Sequence, residues 1–251
     1  MTAPTSPSDP AIVAHSDLPA FRTATELLWF ASPVSYADAW ELQMRLHRER
    51  ANGSRADVVL LLEHRPVYTV GRRTLASDWG GDPTATHIGG IEIQHVNRGG
   101  SVTYHGPGQL VVYPILRLTD HVSGVRAYVE CLEEAVIQCL RESGIVGHRK
   151  KEAPGVWVAN PREAKIASIG IRVDRGVTMH GVALNVDLDL MPFRGITPCG
   201  LRGCHATSMA EVAGRPVSLK SVTRSLLDQL QRTLALTWMI SPAPIEFHTL
   251  A

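Results

Sequence analysis

Hydrophobic residues recur at helical spacing in three stretches of the chain, and residues 206–213 are a further candidate for a short helix. In each stretch the apolar positions form one stripe and polar residues fill the opposite side, which predicts amphipathic helices packed against a core. Ser35 precedes the first stretch and Ser123 the second, and serine is a favoured helix cap. Cys139 lies on the apolar stripe of the second stretch, so it is predicted to be a core residue. The predicted helices cover residues 35–53, 123–144, 206–213 and 218–236.

Seven shorter runs, either continuously apolar or alternating, have the length of β-strands. The two runs that flank a glycine-rich loop, 91–96 and 110–118, are predicted to pair with each other. The last three runs are joined by short turns, which predicts an antiparallel meander. The predicted strands cover residues 58–62, 67–70, 91–96, 110–118, 155–158, 164–173 and 177–186.

The order of these elements predicts a mixed α/β or α+β fold. Residues 1–20 carry four prolines among small and polar residues, and such a composition buries too little apolar surface to fold, so a flexible tail is expected. No change of composition marks a second large domain. We therefore expect one folded domain over residues 21–240 and a short tail at 241–251.

The charge balance argues against a general attraction to polyanions, because 25 basic and 24 acidic residues give a net charge of +1. Neither nucleic acid nor a membrane surface is expected as a partner. The apolar runs are far shorter than a membrane span, and no signal-peptide pattern begins the sequence, which predicts a cytoplasmic protein. The four cysteines are then expected to be reduced thiols.

The segment from Arg98 to Pro114 combines glycines and polar side chains ahead of a buried run, in the sequence RGGSVTYHGPGQLVVYP. Glycines let main chain approach a ligand closely, and Pro107 stiffens the turn. A long hairpin connection is the alternative, since glycine and proline clusters also build turns. We favour a binding site, because function concentrates in loops held by rigid strands.

Metal and nucleotide chemistry find little support in the sequence. Cys199, Cys204 and His205 are close together, but there is no Cys-x-x-Cys pair, no His-Glu-x-x-His helix and no evident fourth ligand. Neither the Walker phosphate loop nor Gly-x-Gly-x-x-Gly is present. We therefore expect no metal and no cofactor.

A cysteine nucleophile remains as a candidate. Cys199 lies between a proline and a glycine, a setting that holds a thiol on a fixed turn rather than inside a packed face. A reactive thiolate needs a cation or a hydrogen-bond donor nearby, and Lys165, His105 and His180 are available. Spacing alone does not show which of them approaches the thiol. Lys165 on the solvent face of an edge strand, and His180 as a structural histidine, are open alternatives.

The chain resembles the lipoyl(octanoyl) transferases, the octanoyl-[acyl carrier protein]:protein transferases of lipoate synthesis, in five segments: RGGSVTYHGPGQLVVYPI, APGVWV, KIASIGIRV, MHGVALNV and PCG. The match spans residues 25–235 and is specific, because all five segments agree in order. It implies the fold of biotin and lipoate protein ligases, a mixed β-sheet flanked by helices. An ATP-dependent lipoate protein ligase of that fold and a non-catalytic scaffold for acylated carrier protein are the alternatives.

The resemblance implies a role for each matching position. Cys199 is the implied nucleophile that takes octanoyl from octanoyl-acyl carrier protein, and Lys165 polarises its thiol and moves protons. The implied acceptors are lysines in the lipoyl domains of 2-oxoacid dehydrogenases and in glycine cleavage H protein. Arg72 and Arg73 match an element near the entrance. The implied substrate-binding residues are Arg98, Gly99, Gly100, Ser101, Val102, Thr103, Tyr104, His105, Ser168, Ile169, Gly170, Gly181, Val182 and Ala183.

Overall fold

The computed structural model describes residues 24–80, 82, 84–159, 162–198, 203–240 and 244. The predicted N-terminal tail and nearly all of the predicted C-terminal tail lie outside these residues. The helices are α1 Tyr36–Ala51, α2 Val125–Glu142, α3 Met209–Ala213 and α4 Leu219–Leu234. The strands are β1 Thr25–Trp29, β2 Val58–Leu62, β3 Val67–Val70, β4 His87–Ile88, β5 Ile91–His95, β6 Thr103–His105, β7 Gln109–Ile115, β8 Gly147–Arg149, β9 Gly155–Ala159, β10 Glu163–Asp174, β11 Val177–Asn185, β12 His205–Ala206 and β13 Trp238–Ile240.

A large mixed sheet forms the centre of the fold. Its strand order is β13-β1-β2-β7-β11-β10-β9-β8, and the short β12 pairs with β10. The β13–β1, β1–β2 and β10–β12 pairs are parallel, and the others are antiparallel. The meander predicted for the last three runs is therefore confirmed as β9, β10 and β11.

Helices cover both faces of the large sheet. The side chains of β7 show which helices lie on which face. Its residues Val111, Tyr113 and Ile115 pack in one cluster with α1, whereas Leu110 and Val112 pack in another with α2 and α4. Successive side chains of a strand point to opposite faces, so a strand covered on both sides must be apolar throughout. This explains the unbroken apolar run at 110–115, and the predicted fold class, a mixed sheet flanked by helices, is confirmed.

A second sheet of four strands, ordered β4-β5-β3-β6, lies beside the large one. The predicted pairing of residues 91–96 with 110–118 is wrong: β5 pairs with β3 and β4, and β7 pairs with β2 and β11. The reason is the intervening β6, which pairs with β3 and separates the two runs into different sheets.

The helix boundaries follow the predicted pattern with two corrections. Ser35 caps α1, since its side-chain oxygen accepts a hydrogen bond from the backbone N–H of Asp38 at 3.2 Å. Ser123 does not cap α2; Gly124 occupies that position without a side-chain hydrogen bond. The helix predicted from residue 206 begins only at Met209, because β12 uses residue 206 for pairing with β10. Within the described part of the chain, no helix is long and apolar enough to cross a membrane.

Candidate active site

Two adjoining cavities are lined by β10 and by the loop that leads into β6, and the inner one is also lined by β6 and β11. The inner cavity has a volume of about 50 Å³ and the outer one about 400 Å³. The outer cavity reaches the surface beside the exposed side chains of Arg73 and Glu152. Because the two cavities have six lining residues in common, they form one continuous recess. The shared residues are Gly99, Gly100, Ser101, Lys165, Ile169 and Gly170.

The three separate segments predicted to bind substrate converge on the inner cavity. Tyr104 is the one member whose side chain does not reach it. Strand alternation is the reason: Thr103 and His105 of β6 face the cavity, and the intervening Tyr104 points the other way, with its ring 5.6 Å from Tyr68. The predicted residues that line the inner cavity are Arg98, Gly99, Gly100, Ser101, Val102, Thr103, His105, Ser168, Ile169, Gly170, Gly181, Val182 and Ala183.

Lys165 lies in β10, an interior strand of the large sheet, and only 6% of the residue is exposed. The alternative that placed it on the solvent face of an edge strand is therefore wrong. Its Nζ donates a hydrogen bond to the backbone carbonyl of Pro154 at 2.7 Å and lies 5.3 Å from the ring centroid of Trp157. Lys165 lines both cavities.

Cys199 lies outside the described residues. Its role as a nucleophile therefore stays a prediction. The described residues on either side of it are bonded to the recess. The backbone N–H of Thr197 donates to the carbonyl of Asp78 at 2.6 Å, and Asp78 Oδ2 accepts from the hydroxyl of Ser101 at 2.8 Å. On the other side, Ala206 of β12 is paired with Lys165.

The loop at 98–100 is attached to both sheets. The N–H of Gly99 donates to the carbonyl of Ile171 in β10 at 3.0 Å. Arg98 is buried, and its Nη2 donates to the carbonyl and the hydroxyl of Thr69 in β3 at 2.6 and 2.8 Å. A methyl group at Gly170 would lie 3.1 Å from Arg98 Cδ, so glycine lets the loop lie directly on β10.

The hydrogen-bond partners of His105 fix the tautomer of its neutral ring. The hydroxyl of Thr69 accepts from Arg98, so its own hydrogen points to His105 Nε2 at 3.2 Å. On the other side of the ring, Gln109 Oε1 lies 2.6 Å from Nδ1, while Gln109 Nε2 donates to Asn185 at 2.9 Å. His105 therefore donates from Nδ1 and accepts at Nε2.

Three further aromatic side chains line the inner cavity, Tyr36, Tyr113 and His180. His64 lies next to them; its Nδ1 donates to a backbone carbonyl, so its Nε2 accepts the hydroxyl of Tyr113 at 2.7 Å. The hydroxyl of Tyr36 lies 3.4 Å from His180 Nδ1, and His180 Nε2 donates to Asn97 Oδ1 at 2.8 Å. Tyr36, Tyr113 and His180, with His64 next to them, form the floor of the inner cavity, and hydrogen bonds join their polar atoms to one another and to neighbouring groups.

His180 is also held by its backbone. Its φ of 58° is left-handed, a conformation that costs a non-glycine residue about 1 kcal/mol. The N–H of His180 donates to Gln43 Oε1 at 2.9 Å. The ring belongs to the cavity wall and is fully hydrogen-bonded, which agrees with the alternative of a structural histidine.

Burial keeps these groups uncharged. It lowers the pKa of His64 to about 4 and that of His180 to about 3, and it lowers the pKa of His105 well below its usual value. Burial raises the pKa of Tyr36 to about 12, and it also raises the pKa of Tyr113 well above its usual value. The end of the recess below the loop is therefore lined by neutral side chains, which is a suitable surface for an apolar ligand.

Sequence reasoning missed Tyr36 and Tyr113 as cavity residues. Tyr113 looked like one more member of an apolar strand, and Tyr36 like the first turn of a helix. The signal that was available is the two-residue period of β7, which places Tyr113 on the face opposite Val112. Among the described residues, no group of three or more histidine, cysteine or acidic side chains is arranged to hold a metal ion.

A family model described as the lipoyl protein ligase A/B catalytic domain matches residues 35–231. The chain is 42% identical over 216 residues to an octanoyltransferase of Chloroflexus aurantiacus, covering 86% of this chain and 96% of that protein. It is 45% identical over 207 residues to an octanoyltransferase of Salinispora arenicola, covering 81% and 90% of the two chains.

Solved structures with the same fold have much lower sequence identity. A bi-partite lipoate protein ligase of Thermoplasma acidophilum superposes with a TM-score of 0.63 at 17% identity, covering 90% of this chain and 89% of the other. A lipoate-protein ligase A bound with ATP superposes with a TM-score of 0.64 at 16% identity, covering 91% and 92%. At this identity the likeness concerns the fold alone.

Proposed function

The chain belongs to the family of lipoyl protein ligase A/B catalytic domains, and from this premise we propose that it transfers an octanoyl group to a lipoyl-domain lysine through a thioester on Cys199. Octanoyl transfer is the activity that its relatives at 42% and 45% identity carry in their names. The ligase alternative is supported by the description of the family model and by the likeness of folds, whereas both relatives quoted above are named octanoyltransferases.

The convergence of three distant segments and Lys165 on one recess is the observation that carries the proposal. Both described flanks of Cys199 are bonded to residues of that recess, Thr197 through Asp78 and Ala206 through Lys165. This arrangement supports a role for Cys199 and Lys165 together. It gives no comparable support to a scaffold without a nucleophile.

The charge of the inner cavity supports thioester chemistry. Among the described residues that line the inner cavity, the charged types are Arg98 and Lys165, both basic, and none is acidic. A thiolate and the oxyanion of a tetrahedral intermediate both carry negative charge, and fixed positive charge or donors nearby stabilise them. Apolar Val182 and Ile169, with the neutral floor, provide the surface for the alkyl chain.

The reaction has two balanced steps. The sulfur of Cys199 attacks the thioester carbonyl of octanoyl-acyl carrier protein, and the proton lost from Cys199 goes by way of Lys165 to the departing pantetheine thiol. The amine of the acceptor lysine then attacks the enzyme thioester. An amide forms, the carbon–sulfur bond breaks, and the proton released by the amine restores the thiol of Cys199. Exchange between thioesters is near balance and amide formation is downhill, so no ATP is needed.

The proposal also names the partners and the extent of the enzyme. The donor is octanoyl-acyl carrier protein, and the acceptors are the lipoyl domains of 2-oxoacid dehydrogenases and glycine cleavage H protein. We assign the catalytic domain to residues 21–240 and place the reaction in the cytoplasm.

Intact-mass measurement after mixing with octanoyl-acyl carrier protein, without ATP, tests the route. The wild-type protein and Cys204→Ala should each gain one octanoyl group that hydroxylamine removes, and Cys199→Ala should gain none. Cys204 is the matched control because it is a nearby, half-buried thiol. If the wild type stays unmodified and octanoylates a lipoyl domain only with free octanoate and ATP, the chain is a ligase and the role of Cys199 is wrong.

A further inference from the structure

A short turn of the backbone, residues 153–155, holds the Lys165 amine. Its Nζ donates to the carbonyl of Pro154 at 2.7 Å. That carbonyl is therefore one of the contacts that position the amine in the recess. The interactions that hold the turn at residues 153–155 therefore also help to hold the Lys165 amine in place.

Two hydrogen bonds hold this turn from either side. The N–H of Gly155 donates to Oε1 of Glu133, a residue of α2, at 2.9 Å. The indole N–H of Trp157 donates to the carbonyl of Ala153 at 3.0 Å. The Pro154 carbonyl lies between these two anchored residues.

Glu133 stands on the core-facing side of α2 and is only 5% exposed. A buried carboxylate is costly unless it is paired and hydrogen-bonded. Here Oε1 accepts the N–H of Gly155, and Oε2 lies 3.3 Å from Nε of Arg149. The next residue of the helix, Glu134, also pairs with Arg149, and it accepts a second hydrogen bond from Gln138 of the same helix. The contact to Gly155 therefore distinguishes the buried glutamate from its neighbour.

Gly155 gives the lysine side chain room to pass. Its φ of 124° is accessible to glycine and strained for other residues. A methyl group there would overlap Cε of Lys165 and lie 3.1 Å from its Nζ. The lysine side chain thus crosses directly over this glycine before reaching the Pro154 carbonyl.

We propose that Glu133 and Gly155 are positioning residues for the Lys165 amine. Glu133 holds the turn through the N–H of Gly155, and the absence of a side chain at Gly155 opens the path of the lysine. The inference rests on the proposed function in so far as Lys165 takes part in acyl transfer. Support from a surrounding shell of this kind keeps a reactive group within its productive geometry.

The first test measures the rate of thioester formation in a double-mutant cycle. Glu133→Met should lower the rate about tenfold or more, and Glu133→Gln, whose amide oxygen still accepts from Gly155, should stay within about threefold of wild type. In a Lys165→Met background, Glu133→Met should change the remaining rate less than about twofold, because the group that it positions is gone. Glu134→Met removes the other acidic partner of Arg149 and should leave the rate unchanged.

The second test needs no catalysis. Acetic anhydride labelling followed by peptide mass spectrometry reports how accessible each lysine amine is. Glu133→Met should label Lys165 about threefold faster or more, whereas Glu133→Gln and Glu134→Met should label it as wild type does. Exposed Lys220 on α4 serves as the internal standard.

The results separate two failures. If the wild-type enzyme forms no thioester, the proposed function fails, and the labelling still decides the position of Lys165. If Glu133→Met slows both backgrounds equally, or if Lys165 labelling is unchanged in Glu133→Met, Glu133 does not position the amine and the inference is overturned.

Discussion

Acid should destabilise this fold between about pH 7 and about pH 5, because two buried histidines must stay neutral. His64 and His180 are 0% and 1% exposed, and burial lowers their pKa values from 6.5 to about 4 and about 3. In the unfolded chain both rings take up a proton near their ordinary pKa of about 6.5. The unfolded state therefore binds more protons in this range, and stability falls as the pH falls.

The size of the effect follows from proton linkage. At about pH 5 an unfolded histidine is almost fully protonated and the two buried rings are almost fully neutral, so each contributes a loss of about 2 kcal/mol relative to pH 7. Together they remove about 4 kcal/mol, a large share of a typical folding free energy of about 5–15 kcal/mol. His105, with its pKa lowered by burial, acts in the same direction. The hydrogen-bonded carboxylate of Asp57 has its pKa lowered from 3.8, because bonds from His121 and Arg50 outweigh its burial. Its contribution is lost only at more acidic pH.

Urea unfolding followed by circular dichroism at the two pH values measures this difference. His64→Gln keeps an acceptor for Tyr113, and His180→Asn suits a left-handed backbone, so each variant removes the titration with little added strain. Between about pH 7 and about pH 5 the unfolding free energy of the double variant should fall by about 4 kcal/mol less than that of wild type, whatever the stability of the variant at neutral pH. His87→Gln, a change at an exposed ring, should behave as wild type. An equal loss in the wild type and the double variant would refute the reasoning.

Three other substitutions test contacts beneath and beside the recess by urea unfolding at neutral pH. Gly181→Ala should lower the free energy of unfolding by about 3 kcal/mol, because the added methyl would overlap a backbone carbonyl of β7. Gly195→Ala is the control: its methyl would meet only contacts at 3.6 Å or more, so the free energy of unfolding should change little. Tyr113→Phe should cost about 1–3 kcal/mol, because Nε2 of a buried histidine loses its donor. Asp57→Asn should cost about 3–5 kcal/mol by breaking a buried ion pair at 2.6 Å. Losses below about 0.5 kcal/mol would contradict any of these assignments.

Local patterns were enough to predict several elements. The strands at 58–62 and 67–70 have the predicted bounds, and Ser35 caps α1 as expected. In each case the deciding interactions lie within the element: an apolar run of strand length, or an oxygen three residues from the N–H that it caps. Pairing is different, because β5 and β7 are both good strands and their sequences do not state in which sheet each one lies.

The same distinction applies to the site. The loop at 98–105 is indicated by its glycines and polar residues, the segments at 168–170 and 181–183 by resemblance, and all three converge in the structure. The floor was not predictable, because Tyr36 and Tyr113 come from a helix and a strand that are 77 positions apart. Glu133 was hidden in the apolar stripe of α2, where a single acidic residue resembles a position at the edge of the stripe. Such residues can be recognised only when their partners are known.

Thr69 connects stability to function through one hydroxyl. It accepts from Arg98, which anchors the loop at 98–100, and so it must donate to Nε2 of His105. Protonation of His105 would place a second donor against that hydroxyl and a second cation near Arg98, and it would force the hydroxyl to turn away. Because burial holds the pKa of His105 well below its usual value, the folded protein keeps this ring neutral while the unfolded chain takes up protons, and the loop keeps its anchor. Binding of the acyl donor should therefore persist on acidification until the fold itself is lost, and donor binding and circular dichroism followed over one pH series test this order.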